Sequence, residues 1–163
     1  MKIKNYYLPI RRESRVELER DFSEEEIFLA LGRMKNNKAV GVDEVPIELL
    51  NYYETEEVGK QIRMIMNNAL NSGNVESILK DVRIKVLFKK GDKKDMNNYR
   101  GISLISHGGK LLERLIQNRL YEYVEEIGFL PESQNGFRQN RSTIDSLFVS
   151  KMLTSNAIAK KKN

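Results

Sequence analysis

One stretch of the chain alternates apolar and polar positions with a period of two. Val82, Ile84, Val86 and Phe88 are interleaved with Arg83, Lys85, Leu87 and Lys89. This is the pattern of a half-buried strand with one apolar face and one mainly cationic face. Gly91-Asp92 then supplies a turn, and the apolar run from Gly101 to Ile105 predicts a returning strand. The other periodic stretches are helical. In Phe22-Ser23-Glu24-Glu25-Glu26-Ile27, Ser23 and Glu26 form a capping box and Phe22 and Ile27 a hydrophobic staple. Ala30, Leu31 and Met34 extend its apolar face. Pro46 opens a short helix through Leu50, and a turn of helix is expected over 75–80.

Val58, Ile62, Ile65, Met66, Ala69 and Leu70 define a second long helix, ended near Asn71-Ser72-Gly73. A third carries Leu111, Leu112, Leu115, Ile116, Leu120, Tyr123, Val124 and Ile127, with Gly128 as its stop. A last helix, capped by Ser142, runs through Ile144, Leu147, Phe148 and Met152. Residues 37–46 and 129–140 read as loops from their glycine, proline and asparagine content. Three segments follow: a lead-in over 1–21, a domain over 22–155 and a frayed basic tail over 156–163. The class is α+β, mostly helical with one β-hairpin.

Composition adds bounds. A chain of 163 residues suits one domain, which buries roughly two-thirds of its unfolded surface. No apolar run approaches the ~18 residues a membrane span needs, and Met1 to Tyr7 has no apolar core for a secretory signal. With no cysteine, disulfides, thiol catalysis and cysteine-held zinc are excluded. The expectation is an intracellular protein.

Charge sharpens the hairpin. Residues 1–57 carry 9 basic and 13 acidic groups, whereas residues 58–163 carry 19 and 10. Between Lys80 and Arg100 alone there are eight Lys or Arg against three Asp. A glycine-tipped hairpin so charged is suited to approach phosphates, but edge strands also use lysine to block aggregation. Charge by itself weighs the two evenly.

Four blocks, taken in order, resemble the N-terminal part of the reverse transcriptase of non-LTR (LINE-type) retrotransposons. They are Asn37-Lys38-Ala39-Val40-Gly41-Val42-Asp43, Leu87-Phe88-Lys89-Lys90-Gly91-Asp92, and Asn98-Tyr99-Arg100-Gly101-Ile102-Ser103-Leu104 leading into Gly109-Lys110-Leu111-Leu112-Glu113. The last is Leu130-Pro131-Glu132-Ser133-Gln134-Asn135-Gly136-Phe137-Arg138 with Arg141-Ser142-Thr143-Ile144-Asp145. The resemblance covers about residues 20–155.

It implies the fingers and the start of the palm of a right-hand polymerase. By match to the motif, Lys89 or Lys90 would contact the phosphates of a deoxynucleoside triphosphate, and Arg100 the α-phosphate. Gly101 would leave room for nucleotide or nucleic acid. Arg83, Lys85, Gln134, Arg138 and Arg141 would face the template, with Phe137 either near it or a plain core anchor. The implied partners are an RNA template, a DNA primer and a deoxynucleoside triphosphate, and the palm and thumb where these belong to another chain.

The implied cofactor of the intact family enzyme is Mg²⁺, held by palm aspartates. The resemblance places those after the region matched here, and the sequence contains no Asp-Asp pair. Asp43, Asp92, Asp95 and Asp145 fall in blocks where the family places no metal ligand. The expectation is therefore a fragment that binds template and nucleotide phosphates but holds no metal and does not polymerise by itself. A non-catalytic RNA- or DNA-binding module and a poorly folding relic stay open beside it. His107, the single histidine, reads as a capping or surface residue.

Overall fold

The computed structural model describes residues 12–161. The first eleven residues of the expected lead-in, including the stretch read against a signal peptide, lie outside the described residues, as do Lys162 and Asn163 of the basic tail. The chain forms two compact units, Met1–Leu120 and Tyr121–Asn163.

The first unit begins with α1, Arg12–Glu19, where the sequence suggested only an unpatterned lead-in. Its residues, Arg-Glu-Ser-Arg-Val-Glu-Leu-Glu, mostly tolerate a helix well but have no apolar stripe to announce one. Helix α2, Glu24–Gly32, starts on the expected capping box. The Glu26 amide donates to Ser23 Oγ and the Ser23 amide to Glu26 Oε2. The staple residues Phe22 and Ile27 are both buried. Helix α3, Ile47–Leu50, follows Pro46. Helix α4, Glu56–Ser72, ends on Gly73 at φ 65°, and α5, Ser77–Lys80, is a single turn. Strands β1, Val82–Phe88, and β2, Tyr99–Ile105, pair antiparallel, with Val82 opposite Ile105 and Phe88 opposite Tyr99. Helix α6, His107–Glu126, follows.

The core lies among α2, α3, α4 and the first half of α6. Ile27, Ala30, Leu31, Ile47, Ile62, Met66, Leu111, Leu112 and Leu115 meet there. Asn67 ties α4 to the entry of α2, accepting the Phe22 amide at 2.7 Å. The hairpin stands apart from this core. The period-two pattern predicted a half-buried strand, but Ile84 and Val86 are 70% and 57% exposed. Alternation reports which side chains share a face, not whether a second layer covers it. Here the sheet has only two strands.

Arg119, on α6, closes the unit electrostatically. Its side chain is 8% exposed. Nε and Nη2 donate to Glu26 Oε1 and Oε2 at 2.8 and 3.0 Å. Nη1 and Nη2 also donate to the carbonyls of Leu18 and Asp21, at 3.1 and 3.0 Å. The guanidinium carbon lies 4.3 Å from the Phe22 ring centroid, within cation–π reach. Burial works against the Glu26 carboxylate, but hydrogen bonds from Arg119 and from the Ser23 amide outweigh it. They hold the carboxyl at about 2, against an ordinary 4.5. A carboxyl depressed in the fold gives stability that is full above its unfolded pKa and is lost as pH falls through the folded one. The urea midpoint is thus expected to fall between about pH 4.5 and pH 2, and Glu26→Gln to remove much of that slope. A slope unchanged in Glu26→Gln would refute the assignment.

The second unit contains the end of α6, the following loop and α7, Thr143–Lys161. Gly128, at φ 60°, follows the end of α6. Ser142 opens α7 by donating its amide and hydroxyl to Asp145 Oδ2 at 2.6 and 3.0 Å. The helix continues through residues 156–161, where the loss of apolar spacing suggested a frayed tail. Ile144, Leu147, Phe148, Met152 and Leu153 on α7 are all exposed.

Candidate nucleic-acid interface

The β1–β2 register sorts the hairpin side chains. Arg83, Lys85 and Leu87 share one face with Arg100, Ile102 and Leu104, because directly opposed residues of an antiparallel pair point the same way. The other face is apolar, with Val82, Ile84, Val86 and Phe88 beside Tyr99 and Ile105. The cations Arg83, Lys85 and Arg100 thus share one face, but with Leu87, Ile102 and Leu104 among them, and both faces are largely exposed except toward the ends of the hairpin.

The connection, residues 89–98, is knitted by its own hydrogen bonds. The Lys89 amide donates to the Asn98 carbonyl at 2.8 Å. Asn98 Nδ2 donates to the Asp92 carbonyl, and the Tyr99 hydroxyl to the Lys93 carbonyl, each at 2.9 Å. Gly91 has φ 97°, a left-handed conformation that glycine adopts at little cost. The Phe88 and Tyr99 rings meet edge to face, with centroids 5.4 Å apart. Such a loop holds Lys89 and Lys90 at a fixed position while both side chains stay exposed.

Among the described residues, Lys85, Lys89, Lys90 and Arg100 have no ion-pair partner, and Arg83 pairs with Glu44 at 3.2 Å. Four uncompensated cations therefore sit on one two-stranded ribbon.

The other nominated residues belong to the second unit. Arg138 is held by Glu125: Nε and Nη2 donate to its two carboxylate oxygens at 2.9 and 2.7 Å. The Arg138 hydrogen bond draws the Glu125 carboxyl below its ordinary value. Arg141 pairs with Glu132, and Gln134 Nε2 donates to the Gly136 carbonyl at 3.1 Å. Both arginines thus carry a carboxylate partner that the sequence pattern did not reveal. Phe137 is fully exposed, at φ 62°. Phe137 is therefore no core anchor in this structure.

The four aspartates of the motif blocks have local structural partners. Asp43 accepts the Val45 amide, Asp92 the Lys94 amide, Asp95 the Asn97 amide and Asp145 the Ser142 amide. Among the described residues no group of three or more His, Asp or Glu side chains could hold a metal ion. No described helix is long and apolar enough to cross a membrane.

His107 is not a surface residue. It is 2% exposed, and its Nδ1 lies 2.9 Å from the Val45 carbonyl, so the 37–46 loop folds over it. Capping falls to its neighbour Ser106, whose Oγ accepts the Gly109 amide at 2.9 Å. Neither Arg119 nor His107 was marked in the sequence as a tertiary anchor. Each is a polar residue of α6, so apolar periodicity carries no signal for its burial.

These features define an α+β protein with one antiparallel hairpin that carries exposed cations. No family model matches the chain. The chain is 33% identical over 124 residues to "Probable RNA-directed DNA polymerase from transposon BS" of Drosophila melanogaster, covering 76% of this chain and 14% of that protein. It is 28% identical over 124 residues to "RNA-directed DNA polymerase from mobile element jockey" of Drosophila melanogaster, covering 76% and 13%. It is 27% identical over 143 residues to "Transposon TX1 uncharacterized 149 kDa protein" of Xenopus laevis, covering 87% and 11%. The chain spans between 11% and 14% of the length of these curated relatives. It is homologous to a segment of the RNA-directed DNA polymerases, or reverse transcriptases, of non-LTR transposons.

Proposed function

We propose that this chain is the nucleotide- and template-facing segment of a non-LTR reverse transcriptase, corresponding to its fingers and the start of its palm. The observation that carries the reading is the hairpin: Lys85, Lys89, Lys90 and Arg100 are exposed and free of carboxylate partners among the described residues. Lys89 or Lys90 holds the outer phosphates of a deoxynucleoside triphosphate as a point charge, and Arg100 grips a phosphate through its planar fork. Arg83 and Lys85 line the same face for the template backbone. In the second unit Arg141 and Gln134 face the template, Phe137 offers an exposed ring for base stacking, and Arg138 reaches a phosphate by exchanging its carboxylate partner.

The exposed apolar residues of α7 support placement within a larger polymerase. Leu147 and Phe148 are 67% and 63% exposed, and apolar surface of this kind marks an interface. Palm residues beyond the matched region, on this or another chain, would cover them and supply the Mg²⁺ ligands.

Single-stranded RNA should bind this chain with affinity that falls steeply with salt. Each phosphate contact contributes roughly 0.7 to the log–log slope for a single strand. Arg83→Ala/Lys85→Ala, which removes the two template-backbone contacts, should lower that slope by about 1.4. An unchanged slope would sink the hairpin reading. The chain by itself should extend no primer with Mg²⁺ and four triphosphates, and template-dependent extension would contradict the fragment reading.

A further inference from the structure

A second cationic surface lies in the first unit, built from none of the residues discussed above as nucleic-acid ligands. Arg33 caps the C-terminus of α2, Lys35 and Lys38 follow in the loop, and Lys110 and Arg114 lie one turn apart on α6. These five side chains line one open pocket of about 350 Å³, in which Glu113 is the sole carboxylate. None of the five has an ion-pair partner among the described residues, whereas Arg20, Arg63, Arg83, Arg119, Arg138 and Arg141 all do. Five like charges gathered around one carboxylate repel one another and raise the local potential, and an anion relieves both effects.

His107 also lines the pocket, but its buried ring lends no donor to an anion: the Val45 carbonyl can only accept, so Nδ1 carries that hydrogen and Nε2 is left as an acceptor. The pocket also opens at the N-terminal end of α6, a helix of 20 residues, whose dipole favours an anion there. Two guanidiniums and three ammoniums offer the forked and point-charge donors that phosphate oxygens accept.

We propose that this pocket is a second phosphate-binding site, one that holds the backbone of a single-stranded nucleic acid at a place separate from the hairpin. The proposal rests on the nucleic-acid-facing reading above but assigns it different residues. A strand is favoured over a free nucleotide because the five cations are spread over two elements and a loop, which suits successive phosphates rather than one compact group.

The test is binding of fluorescent single-stranded RNA to the full chain, with inorganic triphosphate as competitor. Lys38→Ala/Lys110→Ala/Arg114→Ala should lower the salt slope by about 2, at roughly 0.7 per phosphate contact. Lys38 is exposed and Lys110 and Arg114 are half-buried, so an unchanged thermal midpoint is expected to show that the fold survives. Arg33→Glu, a single reversal at an exposed helix end, gives a second reading if the triple variant unfolds, and should weaken binding several-fold. A slope and affinity unchanged in these variants would overturn the proposal. Displacement of RNA by triphosphate at equal phosphate concentration would also overturn it, in favour of a free-nucleotide site. The Arg83→Ala/Lys85→Ala variant separates the two sites. If it binds normally while the pocket variants fail, the hairpin reading falls and the pocket stands; the reverse pattern removes the pocket alone.

Discussion

Arg119→Ala is expected to destabilise the first unit by about 3–5 kcal/mol, the range for removing one partner of a buried ion pair. Three losses combine. Glu26 would keep its charge in a partly buried site with its main hydrogen-bond donor gone. The carbonyls of Leu18 and Asp21 would lose a donor each. The Phe22 ring would lose its cation at 4.3 Å. By contrast, Lys60→Ala removes only the exposed pair with Glu56 on α4, and such pairs contribute about 0–1 kcal/mol. Urea denaturation followed by circular dichroism measures both. Arg119→Ala/Glu26→Gln should cost less than Arg119→Ala and Glu26→Gln summed, because the stranded charge is gone. A loss under about 1 kcal/mol in Arg119→Ala would mean that the pair behaves as a surface pair.

The helices were largely legible because their signals are local. The Ser23–Glu26 capping box, Pro46 before α3 and Gly73 after α4 each need only a few neighbouring residues, and all three stand where expected. The hairpin partners were legible for the same reason, being separated by one short connection. What the sequence concealed is tertiary. Alternation at Ile84 and Val86 fixed a shared face but could not say that it lies open. Arg138 and Arg141 read as free cations because Glu125 and Glu132, 13 and 9 residues away, reach them only through the fold of the loop. The cationic pocket is not legible in the sequence for a larger reason. Lys38 and Lys110 sit in two separate motif blocks, and only the packing of the 37–46 loop against the start of α6 brings those blocks together.

The approach of α5 to α6 likewise depends on a glycine, and Gly109→Ala offers a test in which helix propensity and packing have opposite signs. Gly109 lies in the first turn of α6, and alanine in a helix interior is favoured over glycine by about 1 kcal/mol. A Cβ at Gly109, however, would stand 2.4 Å from the Leu79 carbonyl oxygen and 3.0 Å from Ser106 Oγ. The first of these is backbone, so α5 would have to move. Overpacking of this kind costs about 1–3 kcal/mol, occasionally more, and backbone displacement belongs to the costly end. Net destabilisation of about 1–2 kcal/mol is therefore expected. Gly32→Ala, where a Cβ meets nothing within 4 Å, should be neutral or stabilising by up to about 1 kcal/mol.

Function should respond in a distinctive way. Helix α5 ends at Lys80 and β1 begins at Val82, opposite Ile105 at the base of the hairpin. Shifting α5 thus moves the hairpin without removing a cation. Gly109→Ala should weaken RNA binding while leaving the salt slope near that of the unaltered chain, since the slope counts neutralised phosphates. The hairpin and pocket variants should instead lower the slope itself. If Gly109→Ala melts and binds as the unaltered chain does, the close approach of α5 to α6 does not exist in solution, and the hairpin is not positioned from that side.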